Sequence, residues 1–244
     1  MPKRIVNAIV LRRADWRDYD RMLTLLTPEG KLDAVARGCR RPKSPLLAAA
    51  EPFTAGEYVL YESGGRFAVE QFKATDTFYP LREDYDRLTH GAYWLRLAEQ
   101  YTLPDQPCEE LFQLLLRALA FLAYGDIAPE TLTMAFELHF LSCLGLAPRM
   151  DLCVRCGKSI DSAAWFDPED GGTVCETCKK ALPAITNGAR RILLRVPLTR
   201  FDAVEKLPGH PDLAEAAGFT RSFLLRRLDM RLVRTPDLKE PVTE

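Results

Sequence analysis

The sequence predicts a multidomain α+β protein, in which a small N-terminal β-barrel precedes a helical region interrupted by a short insert built on four cysteines. Three observations carry this reading. Apolar residues recur in short β-prone runs up to residue 73, their period lengthens to about 3.6 from residue 85, and residues 153–178 hold two C-x2-C pairs. The expected boundaries are 1–79 for the barrel, 80–150 with 184–244 for the helical domain, and 151–183 for the insert.

In the first region IVNAIVL (5–11), MLTLLT (22–27) and LDAVA (32–36) read as strands, the last two joined through Pro28, Glu29, Gly30 and Lys31, a hairpin signature. YVLY (58–61) and FAVEQF (67–72) form a second hairpin across Glu62, Ser63, Gly64, Gly65 and Arg66. Five short strands fit a closed barrel. The OB-fold is the five-stranded candidate, and an SH3-like barrel is the alternative. Residues 13–20 read as a polar loop that carries Trp16.

Beyond Tyr79 and Pro80, residues 85–101, 109–124 and 129–144 read as three helices, broken by Pro104 and Pro107 and then by Gly125 and Asp126. Leu132, Met134, Ala135, Phe136, Leu138, Phe140, Leu141 and Leu144 surround most of the third, so it belongs in the middle of a bundle. A late helix over 211–231 repeats Phe219, Phe223, Leu224 and Leu228 on one face.

Cys153 and Cys156 form one pair, Cys175 and Cys178 the other, with 18 residues between the pairs. Each turn brings two thiolates close enough to share one ion, and two turns complete a tetrahedron with Zn–S distances near ~2.3 Å. One structural Zn2+ is the expectation, with disulfides or idle thiols as the alternatives. Four thiolates close the coordination sphere, which argues against a catalytic ion. Cys39, Cys108 and Cys143 read as packing residues.

The sequence does not suggest an enzyme. His139 falls in the apolar third helix, and His90 and His210 have no neighbour that makes a dyad. Gly30 and Lys31 lack the rest of a P-loop, no G-x-S-x-G occurs, and no H-x-E precedes the cysteines. The acidic clusters 83–86 and 167–170 read as a helix start and a turn. Neither a signal peptide nor an apolar run of about 18 residues is present, so no membrane association is expected.

The net charge of −1 is unevenly spread: residues 1–45 carry 11 Lys+Arg against 5 Asp+Glu, and residues 81–150 carry 5 against 10. A basic block beside an acidic middle suggests a phosphate-binding face on one domain only. In VARGCRRPKSPL (35–46), Arg37, Arg40, Arg41 and Lys43 surround Gly38, Pro42 and Pro45, a stiff cationic loop suited to a phosphate backbone. Trp16, Tyr58, Tyr61 and Phe67 could offer faces for base stacking, Trp16 above all because it lies in a polar stretch.

Three stretches, LTLLTPEGKLDAVARGCRRPKS (23–44), ELHFLSCLGLAPRMDLCVRCG (137–157) and RSFLLRRLDMRL (221–232), resemble landmarks of the bacterial RecO family of DNA-repair mediators, in that order and at suitable spacing. Cys39 departs from the pattern, standing where the family usually has a small residue such as Ala. The resemblance implies an N-terminal OB-fold, a central helical domain and a zinc-ribbon-like insert. It also implies a non-enzymatic mediator in the bacterial cytoplasm, associated with the nucleoid, that binds single- and double-stranded DNA and anneals complementary strands. Its implied partners are RecR, SSB and the RecA pathway, with RecA loaded onto SSB-coated strands. Carried onto this chain, DNA contact falls on Arg37, Arg40, Arg41 and Lys43, with Lys31 and Trp16 beside them. The SSB C-terminal tail, acidic and apolar-ended, calls for a cationic groove with an apolar floor, for which Phe219, Phe223 and Leu224 flanked by Arg221, Arg226, Arg227 and Arg231 are the candidates. The rival reading is a zinc-stabilised interaction scaffold whose barrel binds protein.

Overall fold

A computed structural model describes residues 3–161 and 163–228. These fall into two compact units, one ending at Gly125 and the other beginning at Asp126.

In the first unit β1 (Lys3–Trp16), β2 (Asp20–Thr27), β3 (Gly30–Ala36), β4 (Ala55–Ser63) and β5 (Arg66–Asp76) close into a barrel of order β1-β2-β3-β5-β4. Every pair is antiparallel except β3 and β5, which run parallel. A three-strand meander closed through a parallel β3–β5 pair is the OB-fold arrangement, and it decides against the SH3-like alternative. Val6, Ala8, Val10, Leu23, Leu25, Ala34, Tyr58, Leu60 and Val69 fill the interior. Burying each large apolar side chain there contributes roughly 1.5–3 kcal/mol.

β1 is much longer than the expected 5–11. Its pairing with β2 runs on through Arg12↔Thr24 to Trp16↔Asp20, although residues 12–16 are exposed throughout. A strand segment with both faces in water has no apolar alternation, which is why residues 13–16 read as loop. A bulge between Val10 and Arg12 marks where the barrel wall becomes this ribbon.

α1 (Tyr85–Tyr101) and α2 (Glu109–Tyr124) complete the first unit. The Asp84 side chain caps α1 by accepting from the Arg87 N–H at 3.0 Å. Arg87 in turn donates to the carbonyls of Leu122 and Gly125 at the end of α2. The β2–β3 turn holds this pair of helices: the Cys108 N–H donates to the Pro28 carbonyl at 2.8 Å, and the Lys31 N–H to that of Leu103 at 3.2 Å.

The second unit contains α3 (Pro129–Cys143), α4 (Asn187–Arg195) and α5 (Leu213–Arg227), with a small sheet of order β7-β6-β8 formed by β6 (Ala164–Asp167), β7 (Gly172–Val174) and β8 (Ala184–Ile185). α3 is buried on nearly all sides, as its apolar circumference predicts. α4 was not expected. Its cap is legible in retrospect, because Thr186 Oγ1 accepts from the Ala189 N–H at 3.1 Å, and its buried face is only Ala189, Ile192 and Leu193. α5 is shorter than the expected helix, and residues 229–231 lie outside the described residues. Among the described residues no helix is long and apolar enough to cross a membrane.

Candidate nucleic-acid interface and metal centre

The loop after β3 is pinned against the turn between β1 and β2. Gly38, at φ +64, turns its N–H onto Asp20 Oδ1 at 2.7 Å, a left-handed conformation that glycine adopts without strain. The Arg40 N–H donates to the Tyr19 carbonyl at 3.0 Å. Cys39 is the plug: its side chain is fully buried in the barrel core, in one cluster with Leu46, Ala49 and Ala50, and burial pushes its thiol pKa up. With Cys39 inward, Arg37, Arg40, Arg41 and Lys43 are left exposed.

These cations differ in what they touch. Arg40 lies 3.4 Å from Asp15, which also accepts from Arg21 at 3.1 Å. The hydrogen bond from Arg21, with the charges of Arg40 and Arg13, holds the Asp15 carboxyl below its ordinary range. Arg21 continues to Glu51 at 2.7 Å, and Arg13 pairs with the same carboxylate. Arg41 sits over the Tyr19 ring, 5.3 Å from its centroid. Arg37 and Lys43 have no carboxylate partner among the described residues.

Trp16 lies at the ribbon end, half exposed, on the same end of the barrel as this loop. Lys31 does not. It stands at the opposite end of β3, about 20 Å away along a strand rising ~3.4 Å per residue, and its ammonium donates to the Glu99 carbonyl in α1 at 2.6 Å. That contact fastens helix to barrel.

The other aromatic candidates divide. Tyr58 is no platform: it is fully buried, packs at a tilt against Phe72 with ring centroids 4.7 Å apart, and donates its hydroxyl to the Ala49 carbonyl at 2.9 Å. Phe67 packs partly against the core, with Arg4 over its ring, and Tyr61 is half-buried. Tyr19, half exposed at the ribbon turn, was missed because the alternation signal ends at Leu11.

In the second unit the Sγ atoms of Cys153, Cys156, Cys175 and Cys178 lie within 4.8 Å of one another, and Cys156 and Cys175 are 3.7 Å apart. A tetrahedron with metal–sulfur bonds of ~2.3 Å needs sulfurs about 3.8 Å apart, so the donor set fits one soft ion. Each pair sits in a tight turn: the Gly157 N–H donates to the Cys153 carbonyl at 2.8 Å, with Gly157 at φ +73, and the Cys178 N–H donates to the Cys175 carbonyl at 3.1 Å. Burial opposes ionisation of Cys153, but the N–H groups of Cys175, Cys156 and Arg155 prevail and bring it down to about 6. The sulfurs of Cys156 and Cys175 push Cys178 up to about 12. Four such thiols ionise together only around a cation.

The family model described as Recombination protein O N terminal matches residues 1–78, and the model described as Recombination protein O C terminal matches 82–236. The chain belongs to the RecO family. Proteins named DNA repair protein RecO include one from Anaeromyxobacter dehalogenans, 34% identical over 98% of this chain and 97% of its own. Another from Myxococcus xanthus is 35% identical over 93% of each chain, and one from Alkaliphilus metalliredigens is 38% identical over 70% of each. The RecO N-terminal match ends close to the end of β5, so the OB barrel is that region. α1 and α2 fall in the RecO C-terminal match although they belong to the compact unit of the barrel.

The α5 candidates in this RecO chain are largely engaged. Phe223 and Leu224 are buried core, and Arg221 donates to the buried carboxylate of Glu137 at 2.8 Å, so the expected apolar floor is already covered. Phe219 and Phe223 pack on Phe166 of β6, with ring centroids 5.1 and 5.8 Å away. Arg226 pairs with Glu169 at 2.6 Å, and Arg227 lies over the Phe223 ring. Phe219 and Arg226 therefore join α5 to the cysteine insert.

Proposed function

We propose that this chain is a recombination mediator that binds single- and double-stranded DNA through the end of the barrel formed by the loop after β3 and the β1–β2 ribbon. It anneals complementary strands and, with RecR, helps load RecA onto SSB-coated single strands. No covalent chemistry is required of it: annealing needs only a surface that neutralises two phosphate backbones and holds strands close enough for bases to meet. The observation that carries the reading is the way Cys39 and Gly38 anchor the loop so that Arg37, Arg40, Arg41 and Lys43 all remain at the surface. Family membership supports the assignment to DNA repair.

Zn2+ is the ion we assign to the four cysteines, because an all-thiolate tetrahedron suits it, and its role is structural. Contact with the SSB tail through α5 is supported only by the exposed guanidinium groups of Arg226 and Arg227. Unchanged binding of a tail peptide after both are made Ala removes α5 from that role.

Annealing of complementary oligonucleotides, without a nucleotide cofactor, tests the main reading. Native protein accelerates it, the Arg40→Glu, Arg41→Glu variant does not, and single-strand affinity falls with salt at a log–log slope of about −0.7 per phosphate contacted. Full affinity in the variant at moderate salt, or no acceleration by native protein, moves the assignment to a protein-binding scaffold.

A further inference from the structure

The β1–β2 ribbon presents a feature that phosphate binding alone does not require. Its pairing continues to Trp16↔Asp20 although residues 12–16 are exposed throughout, and both large aromatics of its tip, Trp16 and Tyr19, are 50% exposed. Phosphate neutralisation needs cations. Two half-exposed rings at the end of a polar ribbon leave apolar surface in water, and that surface is favourable only against another apolar face.

The backbone of the tip and the Tyr19 ring are also held in place. Arg17, at φ +57, turns the chain between Trp16 and Tyr19. The Tyr19 carbonyl accepts from the Arg40 N–H, the next residue, Asp20, accepts from Gly38, and the guanidinium of Arg41 covers one face of the Tyr19 ring. Anchored cations therefore flank the aromatic tip.

We propose that this tip is a stacking platform for unpaired nucleobases, with Trp16 and Tyr19 as its two rings, and that it makes the chain bind single-stranded segments more tightly than closed duplex. The inference rests on the DNA-binding reading above. A base in a duplex has both faces covered by its neighbours, whereas a base in a single strand can offer one face to a ring while its phosphates meet Arg40, Arg41 and Lys43. Stacking tolerates any base, as a strand-annealing surface requires.

Two probes separate stacking from charge: a single-stranded oligothymidylate, and a relaxed covalently closed circular duplex with no ends. Trp16→Ala and Tyr19→Ala should each weaken oligothymidylate binding by about 5- to 150-fold, the range expected for one lost base stack, and weaken binding of the circle by a clearly smaller factor. Tyr19→Phe keeps the ring and should bind as the native chain does. Oligothymidylate should quench tryptophan emission in the native chain but not in Trp16→Phe. Equal losses on both probes, or undiminished oligothymidylate binding in Trp16→Ala and Tyr19→Ala, overturn the platform. If those variants bind normally while Arg40→Glu, Arg41→Glu does not, the DNA-binding reading survives and this inference fails. If native protein binds neither probe, both fall.

Discussion

Arg155 donates from Nη1 to the backbone carbonyl of Cys178 at 2.7 Å, so a residue inside the first cysteine pair holds the end of the second. Its Nη2 reaches Asp167 Oδ2 at 2.6 Å and its Nε reaches Asp170 Oδ2 at 2.7 Å. Asp167 is buried at the end of β6, and its other oxygen accepts from the N–H groups of Glu169 and Asp170. One guanidinium thus ties both cysteine turns to the sheet.

Loss of that fork should loosen the metal site without removing a ligand. Arg155→Ala is expected to lower zinc affinity by about 10- to 100-fold, the usual effect of losing an outer-shell partner, measured by competition with a chromophoric chelator. Arg155→Lys should not restore it, because an ammonium cannot reach three acceptors in a planar fork. Native affinity in Arg155→Ala would show that the cysteine turns hold the site unaided.

Metal removal should unfold the insert locally. Ile160, Ala164, Phe166, Val174 and Ile185 are too few to make a core of their own, and zinc binding contributes roughly 10–16 kcal/mol in isolated fingers. After chelation, amide-exchange protection is expected to vanish in β6, β7 and β8 and to persist in β1–β5. Protection retained throughout would mean that the thiols need no ion.

The Arg221–Glu137 pair lies almost wholly out of water, with Glu137 only 2% exposed. Breaking such a pair from one side typically costs about 3–5 kcal/mol, so Arg221→Ala should strongly lower the denaturation midpoint. The double variant with Glu137→Gln should cost less than the two single changes added together. Additive losses in urea titrations would show that the two groups are uncoupled.

Burial beside the Phe201 ring brings His139 down to about 4. Its ordinary unfolded value is about 6.5, so the unfolded chain takes up the proton first as pH falls. The associated stability is complete above about pH 6.5 and is lost as pH falls toward 4, by at most about 3 kcal/mol. Urea unfolding at several pH values should show this loss in the native chain and a flatter profile in His139→Gln. Identical profiles would remove His139 as the titrating group.

Lys31 provides a control for the DNA surface. Because its ammonium serves the Glu99 carbonyl, Lys31→Ala is expected to cost about 1.5–3 kcal/mol of stability, the range for a charged hydrogen bond, and to leave DNA affinity nearly unchanged. A loss of affinity comparable to that of Arg40→Glu, Arg41→Glu, with stability intact, would place Lys31 back on the DNA path.

The sequence by itself determined the five barrel strands, the first three helices and the grouping of four cysteines that could hold a metal. Each rests on a local signal: β-prone runs with turn residues between Thr27 and Leu32, a 3.6 period ending at proline or glycine, and paired thiols that can close a tetrahedron. Short α4 escaped because three buried residues make too little period to see, and the ribbon from Arg12 to Trp16 escaped because it has no buried face. Tertiary structure alone decided which cations share a surface. Lys31 lies at the start of β3 and Arg37 directly follows its end, yet the first is drawn to a helix carbonyl and the second stays in solvent beside the ribbon. It also turned Tyr58 and Phe223 into core and joined Arg155 to Cys178. Backbone periodicity is written between near neighbours in the chain, whereas the partner of a long polar side chain is set by whatever distant segment the closed fold brings within hydrogen-bond reach.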